Sequence, residues 1–567
     1  MKNLKVTWSA LLLFVSVVSW WACNQDPRNL EARLVDVAFA GRIIDENGAP
    51  VMGAQVQAGT AIVTTDDNGV FRTKSVKLPD NDAILTVSKT GYFEFSRAYF
   101  VEDDALQTVT IQLLAKTQVG SFDNASGGTV SIPGGPTLKF PANSVNVSGN
   151  IRVFARYLNP SDDKLGLFTP GDFRGINTSG TEQTLGSYGM VAVELEGAGV
   201  KAQIASGMEV ELTMPIIGTQ AAQAPAEIPL WYFDTAKSRW IEEGSAQKNG
   251  NQYVGKVKHF SFWNCDVGLS LVHLNGSVFI GDLQHPLANA TIKLETTSAF
   301  WPGYAVTDVN GEFGGGVIQG AEMELSVQLY DQCGTQVLYT QTVGPFNSDV
   351  TLPPIILSTS TSNAVTVTGS LVDCAGDPVG NGYVKINNSV VFADENGVFT
   401  QNTYNCTGTA SVQVQAFDLD NLKESPLQTY NLPASGTIDV GTLSVCTGLD
   451  EFIQYTIDGA TTTVPDPYGA LLDSLNGHLT VYLYSFNGTI NSISMQFEAT
   501  QAGVYPMLAM RVNNYNVPPA QCPNITTNLT VFAASEGDYF VGTFSGTFLD
   551  VESTSHTVSG SYRVKRE

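Results

Sequence analysis

Oxygen-bearing side chains recur just before a glycine in "TTDDNGVF" (residues 64–71), "VTDVNGEF" (306–313) and "FADENGVF" (392–399). Carboxylate and amide oxygens at alternate positions are the donor set of a calcium loop. That makes Asp66 and Asn68, Asp308 and Asn310, and Asp394 and Asn396 the best metal candidates in the chain. An EF-hand loop, however, places glycine sixth and a bidentate glutamate twelfth. Counted from each aspartate, glycine falls fourth here (Gly69, Gly311, Gly397), and the fifth residue is Val70, Glu312 or Val398. Two of the three copies therefore lack an oxygen at the fifth position. A hairpin turn accounts better for the spacing: the Asp side chain starts the turn, Asn and Gly take positive φ, and the next Phe is directed inward. The expectation is a structural turn, with calcium a weak alternative and no resident metal or cofactor.

Other chemistry finds less support. His259, His273, His285, His478 and His556 are scattered without HExxH or a close pair, so no zinc site assembles locally. No Gly-x-Ser-x-Gly elbow sits between a strand and a helix. "VEDD" (101–104) and "IEEG" (241–244) are neighbours in turns, whereas glycosidase carboxyls face each other across a cleft. "FGGGVIQG" lacks the lysine of a phosphate loop. No catalytic residue is assigned, and a hydrolase would need a site built from distant residues. Among the aromatics, Trp301 and Tyr304, in the insertion "TTSAFWPGY", are the candidates for a ligand-binding platform that stacks on a glycan.

The elements that must carry these turns are strands. Fifty-four glycines, 25 prolines and only 15% charged residues favour short strands joined by turns, and 567 residues imply about four or five domains. An excess of 54 acidic over 29 basic residues, net −25, repels phosphate backbones and excludes nucleic acid as a natural partner. Each turn motif has a second shared element upstream: "GRIIDENGAPVMGAQV" from Gly41, "GSVFIGDLQHPLANATI" from Gly276 and "GSLVDCAGDPVGNGYV" from Gly369. This is an internal repeat. Period-two alternation in "AQVQAGTAIVTT" and "YVKINNSVVFA" makes each unit a set of hairpins. The chain opens on Lys2 and Lys5, then the apolar run "WSALLLFVSVVSWWA" up to Cys23, a secretory signal too short to span a bilayer stably. Six further cysteines, Cys265, Cys333, Cys374, Cys406, Cys446 and Cys522, permit disulfides after export; within one module Cys374 is expected to pair with Cys406 or Cys446.

Three resemblances add to this reading. The sequence "GRIIDENGAPVMGAQV…TTDDNGVF…VSKTGYF" resembles the carboxypeptidase regulatory-like domain, a transthyretin-like β-sandwich, and the second and third copies match at their turns. That resemblance implies non-catalytic modules used for stability or interaction. Residues 117–266 resemble the extracellular segment of cartilage intermediate layer proteins, carried by Gly127, Gly128, Phe140, Pro141, Leu185, Gly189, Trp231, Asp234, Trp240, His259, Phe260, Ser261, Trp263 and Asp266. It implies extracellular β-architecture with no activity attached. Ala22 directly before Cys23 resembles a bacterial lipoprotein signal, which implies acylation of Cys23, and "GTFSGTF" with "VSGSYRV" is similar to C-terminal domains of Bacteroidota-type lipoproteins.

The resulting expectation is an all-β protein of tandem β-sandwich domains. It has a signal peptide (1–22), a linker after the lipidated cysteine (23–36), a first regulatory-like sandwich (37–116) and a middle β-region (117–266). Sandwiches two (267–358) and three (359–448) and a C-terminal β-domain (449–567) follow. The expected role is a non-catalytic outer-membrane lipoprotein, periplasmic or surface-exposed, that binds or scaffolds. Its expected partners are the membrane through the lipid anchor, and a glycan or an envelope protein. The alternatives are a glycan-binding accessory protein of a carbohydrate-utilisation system, and a hydrolase.

Overall fold

The computed structural model describes residues 33–567 except 163–164, 289, 297–301, 309, 332–333, 359–363, 405–410, 449–450, 466, 468–469, 476–477, 486–491, 514, 536 and 551. Cys23, Trp301, Cys333 and Cys406 lie outside the described residues. Within them the chain is all β, with one helical turn, Leu165–Phe168, and one 3-10 turn, Cys522–Asn524. No helix among the described residues is long and apolar enough to cross a membrane.

The repeated motifs build the same sandwich three times. In the first, Leu34–Ile44 is the central strand of one sheet, antiparallel to Val70–Arg72 and Val76–Pro79 and parallel to Ala105–Gln112. The facing sheet runs Ala61–Thr64, Gln55–Ala58, Ala83–Ser88, Phe95–Tyr99. Leu271–Ile280 and Ala364–Val372 take the central place in the second and third copies. They pair antiparallel with Glu312–Ile318 and Val398–Tyr404, and parallel with Ile355–Leu357 and Gly436–Ser444. Alternate residues face inward, as in Ala83–Ser88, so each sandwich encloses its own apolar core.

Register explains why the two sequence motifs travel together. Gly41, Gly276 and Gly369 stand directly across from Phe71, Phe313 and Phe399. A Cβ on Gly276 would lie 2.5 Å from the Phe313 ring, and one on Gly369 would lie 2.9 Å from Phe399. The glycine leaves space that the aromatic fills, and all three rings are buried. Burying each such ring stabilises the sandwich by roughly 1.5–3 kcal/mol.

The turns themselves superimpose in detail. In each, Oδ1 of the aspartate accepts the backbone N–H of the residue two on at 2.9 Å and of the residue four on at 2.8 Å. Gly69, Gly311 and Gly397 have φ of 71°, 76° and 75°. The expectation that asparagine also takes positive φ is corrected, because the doubly accepting carboxylate closes the turn with a single left-handed residue. Glycine is required for a second reason: an added Cβ would fall 2.3, 2.3 and 2.4 Å from the carbonyl oxygens of Ile43, Val278 and Leu371.

The middle region is one 12-stranded sheet whose terminal strands, Gly128–Ser131 and Gln118–Asp123, meet. A Cβ on Gly128 would lie 2.6 Å from Phe122, which shows how closely the two ends approach. Trp231 and Trp240 are fully buried in an apolar cluster that also takes in Phe93 and Leu114 of the first sandwich, so these two units share a core. The C-terminal unit is a ten-stranded antiparallel sheet in which Phe452–Ile457, Ser555–Lys565 and Tyr539–Leu549 are neighbours.

Candidate functional site

The most heavily engaged surface feature is the first of the three turns. Asp66 commits Oδ1 to the turn and offers Oδ2 outward, where the hydroxyl of Tyr383, on strand Gly382–Ile386 of the third sandwich, donates to it at 2.5 Å. Asn68 donates through Nδ2 to the same hydroxyl at 2.8 Å and accepts from Lys385 Nζ at 3.1 Å. Asp67, between them, receives both guanidinium nitrogens of Arg563 at 2.9 Å each, a bidentate pair to the C-terminal domain. Three consecutive side chains of one turn thus bond to two other domains.

Two arginines frame the turn. Arg72 donates to the carbonyls of Gly380 and Ala393 at 2.8 and 3.0 Å, and Arg42 donates to Asn68 O at 3.0 Å and Asn388 O at 3.2 Å. Beneath them Val70, Tyr383 and Phe417 form a small apolar cluster, with the two rings stacked 4.8 Å apart. Burial pushes the Asp66 carboxyl up to about 6, against the lowering effect of the Tyr383 hydrogen bond. Burial and the adjoining carboxylate push the Tyr383 hydroxyl well above its ordinary value. Arg563 is itself 3% exposed, with the Phe452 ring 5.1 Å away, so its charge depends on Asp67 for compensation.

The other turns differ. Asp394 and Asn396 are exposed, and the Asp394 carboxylate accepts the turn's own backbone N–H groups. Asp308 is half-buried and Asn310 exposed; burial and the nearby Glu102 raise the Asp308 pKa. Among the described residues no group of three or more His, Cys, Asp or Glu side chains is arranged to hold a metal ion. As metal candidates, Asp66 and Asn68 already have their outward atoms occupied by Tyr383 and Lys385.

Tyr304 lies in strand Gly303–Val306, half-buried. A Cβ on Gly166, in the short helix of the middle region, would lie 3.0 Å from its ring, which places the tyrosine at an interdomain contact. His259 packs between Tyr232 and Trp263, with ring centroids at 4.5 and 5.1 Å. Cys374 and Cys446 each follow the parallel pair Val372 and Ser444 by two residues, Cys374 Sγ lies 3.9 Å from the Val445 carbonyl oxygen, and both thiols are free.

No protein-family model matches this sequence, and no curated protein matches it. Solved structures overlap parts of the chain. The shaft pilin SpaA from Lactobacillus rhamnosus GG is 9% identical, with a TM-score of 0.16 over 32% of this chain and 99% of the pilin. The minor pilin GBS52 of Streptococcus agalactiae is 8% identical, with a TM-score of 0.13 over 31% of this chain and 96% of the pilin. The Bacillus anthracis TIE protein is 10% identical, with a TM-score of 0.14 over 68% of this chain and 70% of its own. Overlaps this loose carry no partner, assembly or activity to the present chain.

Sequence reasoning found the turn and missed its partners. A signal was present: the repeat positions that stay constant build the sandwich, and those that change make the contacts. Asp67 aligns with Val309 and Glu395, Arg42 with Ser277 and Ser370, and Arg72 with Gly314 and Thr400. Only the first copy carries the aspartate and both arginines.

Proposed function

We propose that this chain is a non-catalytic cell-envelope lipoprotein, acylated at Cys23 and held at the outer membrane, that presents carboxypeptidase regulatory-like sandwiches as a scaffold or binding surface. The observation that supports the scaffold reading is that the first sandwich engages three other units at once. It shares a core with the middle region, docks its turn on the third sandwich through Tyr383, and pairs with the C-terminal domain through Arg563. Lys116–Glu194 and Arg156–Glu46 ion pairs add to the first of these contacts. Such bracing sets several binding faces at fixed separations, which a flexible string of domains does not. On this reading the partner is a glycan or another envelope protein, and the net charge of −25 keeps nucleic acid away.

One acyl chain holds a protein to a membrane only marginally, so the anchor requires the multiple acylation that a lipoprotein cysteine receives. Replacing Cys23 by serine is expected to move the protein from the membrane fraction to the soluble fraction. A Cys23→Ser variant that stays with the membrane contradicts the anchor. For an exported chain we also propose a Cys374–Cys446 disulfide, supported by the matching places of the two cysteines beyond the parallel pair Val372 and Ser444.

A further inference from the structure

A polar cleft of about 340 Å³ lies where the first sandwich, the middle region and the C-terminal domain meet. Its ionisable lining is Lys89, Glu94, Tyr92 and Lys116 from the first sandwich and its exit, with Glu194 and Lys201 from the middle region. Glu194 is already neutralised, with Lys116 as a partner and Lys201 at 2.9 Å. Lys89 differs from those two lysines. Its ammonium reaches only the Gly53 carbonyl, at 3.4 Å, and no carboxylate among the described residues pairs with it. Burial with nothing to offset it pushes the Lys89 ammonium down to about 8.

Three lysines against two glutamates leave the cleft one positive charge in excess within a chain of net −25. A half-buried ammonium without a carboxylate beside it is costly unless an anion joins it, so the vacant partner is a single negative charge. The rest of the wall is hydroxyl and amide, including Gln55 on one side and Gln454, Asn528 and Ser545 on the other, with the half-buried Tyr92 ring at hand. Hydroxyls and amides suit a polyhydroxylated ligand, and aromatic faces suit the C–H face of a sugar ring. The volume is at the lower end of small-molecule sites, ~300–1,000 Å³, which limits the ligand to one or two rings.

We infer that this three-domain cleft binds a saccharide carrying a single carboxylate, a uronic acid, with Lys89 as the residue that meets the carboxylate. The inference rests on the binding-surface reading above and names its ligand class. It also places the ligand away from Tyr304.

The test uses the full soluble chain carrying Cys23→Ser and titration calorimetry with the galacturonate disaccharide, the neutral galactose disaccharide and acetate. Saturable one-to-one binding of the uronate disaccharide is expected, at least tenfold tighter than the neutral sugar and than acetate. Lys89→Met is expected to weaken it tenfold or more, Lys89→Arg less so, and raising the pH from 7 to 9.5 to weaken it as Lys89 loses its proton. Lys89→Met removes an uncompensated half-buried charge, so its melting temperature should hold or rise, which separates lost binding from lost folding. No uronate binding at millimolar concentration, or binding unchanged by Lys89→Met, overturns the proposal, even where the anchor and the rigid assembly stand. Acetate binding as tightly as the disaccharide also overturns it, since the site then reads a carboxylate alone.

Discussion

The turns at 64–71 and 392–399 close on the same hydrogen bonds and differ in what their side chains meet. Asp66 and Asp394 accept the same two backbone N–H groups at the same distances, and Gly69 and Gly397 have φ of 71° and 75°. Yet the first turn holds two other domains through Asp66, Asp67 and Asn68, while the side chains of Asp394 and Asn396 stay exposed. The comparison separates two uses of one motif. Carboxylate Oδ1 and glycine make the turn, whereas Oδ2 and the residue between Asp and Asn are free to make contacts, and the first copy uses both.

The same division recurs at the other end of the sandwich. Glu46 and Leu114 of the first copy occupy the places of Cys374 and Cys446 in the third, as the parallel pairs Ile44–Gln112 and Val372–Ser444 show. In the first copy they bond Arg156 and join the shared core with the middle region. In the third they present two free thiols just beyond the ends of paired strands. Where one sandwich is braced by a neighbouring domain, the other carries the means to brace itself.

The shared half of the comparison breaks most severely. Alanine at Gly69, Gly311 or Gly397 meets a carbonyl oxygen at 2.3–2.4 Å in a left-handed conformation. Each is expected to lose more than about 3 kcal/mol in urea unfolding monitored by fluorescence, whichever copy is hit. A copy that tolerates alanine would show that its glycine is not required by the turn. Next in size is the thiol pair. Intact mass of the exported chain should show the loss of two hydrogens at Cys374–Cys446, and Cys446→Ser should cost about 2–4 kcal/mol. Two free thiols in the exported protein would remove the disulfide.

A smaller effect probes the difference between the copies. The Asp66 pKa is raised from 3.8 to about 6 in the folded chain, so the folded state holds the proton more tightly than the unfolded. The contribution of this group to stability is therefore complete below about 3.8 and is lost as pH rises through about 6. Asp66→Asn should gain on the native chain between pH 4 and 7 in paired thermal melts. A difference between the two chains that stays constant with pH would remove the role given to the Asp66 carboxyl at this contact.

How much of this could be read in advance follows from the same division. The internal repeat, the strands and the inward Phe71, Phe313 and Phe399 were legible because they depend on local alternation and turn chemistry, which recur three times. The pairing of Gly41 with Phe71 was present in the repeated motifs but needed register to interpret. Tyr383, Lys385 and Arg563 were not legible as partners of the first turn, because they stand 315 to 496 residues away and nothing local marks an interdomain contact. Lys89 gave no signal for the same reason: a lysine in "VSKTGYF" looks solvated until three domains close around it.

The central claim is that Asp66, Asp67 and Asn68 join domains through their side chains while those of Asp394 and Asn396 stay exposed, and a double-mutant cycle between Asp67 and Arg563 tests it most directly. Asp67 is 42% exposed on its side chain and Arg563 is 3%, so the bidentate pair is expected to couple by about 1–2 kcal/mol in equilibrium unfolding. The aligned Glu395, cycled against the same arginine, should show coupling within about 0.3 kcal/mol of zero. Equal coupling at both positions, or none at Asp67, would contradict the account.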